Sequence, residues 1–182
     1  MENGDNPSVK NSGTGFAAVC GLAQKKGIPV RWFCPGDAVT EREVTFTCLH
    51  PEASYPTYDT NDASLTLLLE CGDTAIVFTG DIGENAEACV APALREKMMN
   101  KETVVLKTAH HGSKYSTSKA FLEVLQPQLA VISYGKDNRF GHPHIETLER
   151  LQNVGSQIAL IPEQGTVTVR IGEKKTLVTG YR

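Results

Sequence analysis

Three apolar stretches in this chain each run into a polar turn that opens a helix-forming segment. Ala75 to Phe78 leads into Thr79-Gly80-Asp81, Val104 to Lys107 leads into His110-His111-Gly112-Ser113, and Leu129 to Tyr134 leads toward Gly141-His142-Pro143-His144. Strands alternating with helices restrict the chain to a mixed α/β fold, and α/β folds place their sites at strand ends. Asp81 and four of the five histidines stand at those ends.

Residues 1–12 are polar and rich in Gly, Asn and Ser, which predicts a flexible N-terminus ahead of one domain over 13–182. A helix is expected from Gly15 to Lys26, stopped by Gly27, then an extended run from Ile28 to Phe33. Glu43 to Leu49 alternates with period two and reads as a strand, followed by an irregular surface loop from His50 to Asp62. Ser64 to Glu70 and Thr74 to Thr79 form a hairpin about Cys71-Gly72-Asp73. Asp81 to Asn100 contains a helix, Thr103 to Thr108 is a strand, Ser118 to Leu125 a helix and Leu129 to Tyr134 a strand. A helix from His144 to Val154, stopped by Gly155, precedes strands at 157–162, 165–171 and 176–179.

With 182 residues and 40% hydrophobic content, the chain can bury an ordinary core. A net charge of −3 excludes a surface that is basic throughout, so phosphate recognition must be local, at residues such as Lys107, Lys114, Lys136 and Arg139. No apolar run is long enough to span a bilayer, and Met1 to Asp5 is not a signal-peptide start, so the chain reads as soluble. The five cysteines lack Cys-x-x-Cys spacing, so most of them read as buried thiols, not as a zinc knuckle or a disulfide framework.

Asp81 would project from a strand end into a loop, or cap the helix that follows it. His110 and His111 supply neutral imidazoles for a metal and its supporting shell, or lie in a surface loop. His142 and His144 flank Pro143 and point to similar sides if extended, or form a turn before the last long helix. An acid and two histidine pairs at three successive strand ends, about 30 residues apart, converge on one cleft, and this donor set suits zinc or manganese. A serine hydrolase is disfavoured, because no Gly-x-Ser-x-Gly elbow exists.

Asn61-Asp62-Ala63-Ser64-Leu65, Phe78-Thr79-Gly80-Asp81, Leu106 to Ser113 and Asn138 to His144 together resemble the metallo-β-lactamase-like C-terminal domain of the ComEC family of DNA-internalisation competence proteins. The resemblance runs from about Gly27 to Ile171 and implies an αββα sandwich with a divalent metal, zinc or manganese, at one edge. It implies Asp81 and one histidine of the first pair, His110 or His111, as metal ligands, with His110 assigned to the metal and His111 to catalysis. His142, His144 and Lys107 would complete the catalytic group, and Ser113, Asn61 and Arg139 would meet substrate.

The family's His-x-His-x-Asp-His cluster has no counterpart here, so the sandwich is expected to be incomplete, lacking its first strands and several ligands. The implied function is a metal-dependent nuclease or phosphodiesterase fragment, weak or inactive alone, with a metal site that can stand empty in this chain. Its implied partners are single-stranded DNA and a chain supplying the missing N-terminal half. The alternatives are a non-catalytic DNA- or partner-binding remnant and a hydrolase of small substrates within the same superfamily. The family context is membrane-associated, with this domain outside the cytoplasmic membrane. Uncovered apolar faces and an open sheet edge would favour self-association.

Overall fold

The computed structural model describes residues 14–52, 59–172 and 176–181. The expected loose N-terminus at 1–12 and part of the loop from His50 to Asp62 lie outside the described residues. Helix α1 (Thr14–Lys25) precedes a meander of β1 (Ala38–Glu41), β2 (Val44–His50), β3 (Thr66–Cys71) and β4 (Thr74–Phe78). Then follow α2 (Glu84–Met98), β5 (Thr103–Lys107), α3 (Lys119–Leu125), β6 (Leu129–Ile132), α4 (Ile145–Asn153) and β7 (Gln157–Leu160). A short helix α5 (Ile161–Gln164) leads to β8 (Thr166–Ile171) and β9 (Thr176–Tyr181).

Strands β1 to β7 form one sheet in sequence order, antiparallel from β1 to β4 and parallel from β4 to β7. The change of direction follows from the connections. Two-residue turns can join only antiparallel neighbours, whereas α2, α3 and α4 provide the crossovers that parallel strands need. In register across the sheet, Thr47, Leu68, Val77, Leu106 and Ala130 share one face. There Leu68, Val77, Leu106 and Ala130 are fully buried, in one core with Val90 and Leu94 of α2, Phe121 and Leu122 of α3, and Leu151 of α4. Burying a side chain of the size of Leu106 stabilises by about 1.5–3 kcal/mol, so this face accounts for much of the fold's stability.

The opposite face carries Phe46, Leu69, Ile76 and Val105 in one row and Leu67, Phe78, Lys107 and Val131 in the next. Val167 and Val169 of β8 pack over Val105, Leu129 and Ala159 at its β5–β7 end. Toward β2 the face is open, with Phe46 37% and Phe78 36% exposed.

The hairpin β3–β4 and the strand–helix alternation form as expected, and α3 starts at the expected place, capped by the Ser118 side chain, which accepts from the Phe121 N–H at 3.3 Å. Four local readings change. The strand expected at 157–162 stops at Leu160, where Ile161 and Pro162 open helix α5. Strand β1 was not anticipated, because its turn to β2 uses Arg42, at a φ of 55°, in place of the Gly or Asn that marks such turns. Residues 28–34 remain outside any strand. Helix α2 begins beyond Gly83, so Asp81 does not cap it and its carboxylate is released for other work.

Candidate metal centre

Asp81 sits in a turn whose backbone is held from the preceding loop. The Asp81 N–H donates to the Ser64 hydroxyl at 3.1 Å, and the Gly83 N–H donates to Asp62 Oδ1 at 2.7 Å. Gly80, at a φ of +54°, brings the turn so close that an added Cβ would lie 2.6 Å from that of Ser64. From the next strand end, the His110 N–H donates to the Gly80 carbonyl at 3.1 Å, tying the first histidine pair to the aspartate turn.

The histidine pair occupies a kinked 3-10 turn over Ala109–Gly112, with both His110 (φ 45°) and His111 (φ 56°) left-handed. Two successive non-glycine residues in that region are locally costly, by about 1–3 kcal/mol each, and require a surrounding structure that enforces them. The loop that follows the pair is anchored from three directions. The buried Glu87 carboxylate of α2 accepts the Thr117 and Ser118 N–H groups, the latter at 2.9 Å. Arg150 of α4 donates to the carbonyls of Thr117 and Ser116, each at 2.9 Å, and of Lys114 at 3.1 Å. Thr147 donates its hydroxyl to the Ser113 carbonyl at 2.8 Å. The second histidine cluster locks on through the His144 N–H, which donates to the Gly112 carbonyl at 2.9 Å, while Pro143 fills the space a Cβ on Gly112 would need.

These contacts gather four imidazoles. Ring centroids lie 6.4 Å apart for His110 and His111, 5.5 Å for His110 and His142, and 5.0 Å for His142 and His144. The imidazole facing Asp81 belongs to His111, with Nε2 3.9 Å from Asp81 Oδ1. Its other nitrogen, Nδ1, lies 2.7 Å from the Ser133 carbonyl. A carbonyl only accepts, so Nδ1 carries the hydrogen, and a neutral ring then turns a lone pair toward the carboxylate. Two electron-pair donors facing each other need a cation between them, either a proton or a metal ion. Two ligands on one tetrahedral zinc stand about 3.4 Å apart, given bond lengths near 2.1 Å, so the gap is close to that of a shared ion.

The donor chemistry therefore fits a divalent metal, but the donor count is low. Among the described residues, no group of three His, Cys, Asp or Glu side chains is placed to hold one ion. His144 Nδ1 is buried without a hydrogen-bond partner. His142 is held below the ordinary histidine range, chiefly by burial and then by His144, His110 and His111, so it is neutral at neutral pH.

The remaining anticipated residues take different places. Lys107 is half-buried with Nζ 3.0 Å from the Thr108 carbonyl; burial lowers its pKa, and Asp81 partly offsets that. Ser113 is buried, and its hydroxyl accepts the Tyr115 N–H at 3.3 Å within its own loop. Asn61 forms the turn before Ser64, its carbonyl accepting the Ser64 N–H at 2.9 Å. Arg139 is exposed, its guanidinium 5.2 Å from the centroid of Phe140. Sequence reasoning missed Ser64, Glu87, Ser133 and Arg150 as supports. Ser64 lies in the Asn61 to Leu65 motif, which signalled it without a role, whereas Glu87, Ser133 and Arg150 stand in no spacing that marks one.

No family model matches the chain. It is 35% identical over 148 residues to ComE operon protein 3 of Bacillus subtilis, covering 81% of this chain and 18% of that protein. It is 28% identical over 129 residues to Competence protein ComA of Neisseria gonorrhoeae, covering 71% of this chain and 18% of that protein. A solved structure described as a metal-dependent hydrolase from Parabacteroides distasonis aligns with a TM-score of 0.45 at 14% identity, over 76% of this chain and 60% of that one. The chain thus spans less than a fifth of the length of the two curated relatives, and within that span it is a ComEC-like domain.

Proposed function

We propose that this domain is the hydrolytic part of a DNA-uptake protein, cutting phosphodiester bonds in single-stranded DNA with a divalent metal, zinc or manganese. The observation that carries this reading is the pairing of Asp81 Oδ1 with His111 Nε2 across 3.9 Å, with Nδ1 fixed by Ser133. Asp81 and His111 would hold the ion, with His110 and His142 the next imidazoles at hand. A divalent cation bound there supplies Lewis acidity toward a phosphoryl oxygen and makes water a better nucleophile at neutral pH. The Ser133 carbonyl keeps the His111 lone pair aimed at the site. His142, neutral through burial, is suited to take up a proton from the attacking water. Lys107, beside Asp81, and the exposed Arg139 supply positive charge toward the phosphates.

With only two donors converging among the described residues, metal binding by this chain is weak and hydrolysis slow until another segment or a partner chain completes the ligand set. In its full-length context we place the domain outside the cytoplasmic membrane; no helix among the described residues is long and apolar enough to cross one. The low donor count also favours a second reading, a non-catalytic module that holds DNA through the same cleft. Calorimetry with zinc and manganese separates the two. Binding that is lost in Asp81→Ala and His111→Ala, together with cleavage of single-stranded DNA, supports the hydrolase. Metal binding that survives both substitutions rejects the site, and DNA binding without cleavage in saturating metal selects the non-catalytic module.

A further inference from the structure

Next to the histidine cluster lies a cavity of about 290 Å³ lined by four rings, those of His111, His142, Tyr134 and Phe140, together with Gly135 and Asn138. We propose that it is a nucleobase subsite, which holds the base adjoining the phosphodiester at Asp81 and His111. The proposal rests on the phosphodiester reading of that site.

The walls are those of a stacking pocket. Phe140 lies over His142 with centroids 5.8 Å apart and planes inclined by only 25°, yet it remains 62% exposed. The guanidinium of Arg139 beside it adds a charge suited to a neighbouring phosphate. The same pairing of an exposed ring with a cation recurs on the loop after His111, where Lys114 Nζ lies 5.3 Å from the Tyr115 centroid and Tyr115 is 74% exposed.

Two polar groups of the pocket, the Asn138 amide and the Ser133 carbonyl, are already engaged. Asn138 donates from Nδ2 to the carbonyls of Gly135 and His142, both at 2.8 Å, and accepts at Oδ1 from the N–H groups of His142 at 2.9 Å and Phe140 at 3.2 Å. The Ser133 carbonyl is taken by His111. Asn138 thus sets the rings in place without offering its amide to a base edge. Such a pocket recognises that a base is present and discriminates little among bases, because every base has a π face.

The test is equilibrium binding of the chain, without added metal, to oligodeoxythymidylate, oligodeoxyadenylate and a deoxyribose-phosphate strand of the same length lacking bases. The base-bearing strands are expected to bind about tenfold more tightly than the baseless one, with a smaller difference between thymine and adenine. Phe140→Ala should remove that advantage and leave binding of the baseless strand unchanged. Phe140→Leu, which keeps apolar bulk without a ring, should behave like Phe140→Ala, and Phe140→Trp should retain the advantage. Equal binding of base-bearing and baseless strands, or an advantage that persists in Phe140→Ala, overturns the subsite and leaves the phosphodiester reading standing. Failure to bind any of the strands, whether or not manganese is added, overturns that reading and the subsite with it.

Discussion

Glu87 and Arg150 grip the same residue from opposite poles: Glu87 accepts the N–H of Thr117, and Arg150 Nε donates to its carbonyl at 2.9 Å. One side chain comes from α2 and the other from α4, so the loop carrying the first histidine pair is tied to both helices. Glu87→Ala would leave the N–H groups of Thr117 and Ser118 without their acceptor, at a cost of about 1–3 kcal/mol for each that stays buried and unpaired. Chemical denaturation should show that loss, and amide exchange should accelerate across 113–118 before it does in β5. Unchanged exchange there would refute the clamp.

Gly112→Ala should separate the two histidine clusters. Its Cβ would stand 2.7 Å from Cβ of Pro143 and 3.3 Å from Cγ2 of Ile132, at a φ of +84° that alanine adopts only with strain. The His144 and Gly112 backbones must part to admit it. A stability loss of about 1–3 kcal/mol is expected, with displaced imidazole resonances of His110 and His142 in NMR spectra. A variant with wild-type spectra would show that the clusters do not depend on this contact.

Two glutamates give stability opposite pH dependences. Burial alone would raise the pKa of Glu70, but its ion pairs with Lys97 and Lys101, each at 3.1 Å, bring it below the ordinary value of 4.5. Its contribution is present above that value and disappears as pH falls through the lower folded one. Burial of Glu87 outweighs its hydrogen bonds from Ser118 and Thr117 and raises its pKa above 4.5. Its contribution is present below that value and is lost as pH rises through the higher folded one. Glu70→Gln should therefore flatten the acid limb of a stability–pH profile, and Glu87→Gln the limb above it. If neither profile differs from wild type, these assignments fail.

The open sheet face predicts self-association. Phe46, Leu69 and Ile76 form an apolar row beside Leu67 and Phe78, with nothing among the described residues fully covering the two phenylalanines. Light scattering should report a mass above that of one chain at micromolar concentration, and Phe78→Asp should shift it toward the monomer. A wild-type chain that remains monomeric at high concentration would contradict this.

Much of the architecture was legible because local chemistry dictates it. Period-two alternation, the tight turn at Gly72 and Asp73, and the Ser118 cap each act within a few residues, so the β3–β4 hairpin and α3 could be read directly. The turn at Arg42 and Glu43 has no such signature, and β1 was missed for that reason. Clustering of Asp81 with the histidines was also legible, since each follows a strand and neighbouring strand ends of one sheet lie close together.

Strand–helix order, the helix-covered core and the set of donor side chains are encoded locally along the chain. Tertiary packing settled which imidazole faces Asp81. That depends on the left-handed backbone at His110 and His111 and on the Ser133 carbonyl, 22 residues beyond His111 in sequence. It also decided that Glu87 is a buried anchor and not a surface charge, because its partners arrive from a loop 30 residues away. Contacts between distant segments depend on where packing brings the chain back on itself, and no local pattern of residues encodes that.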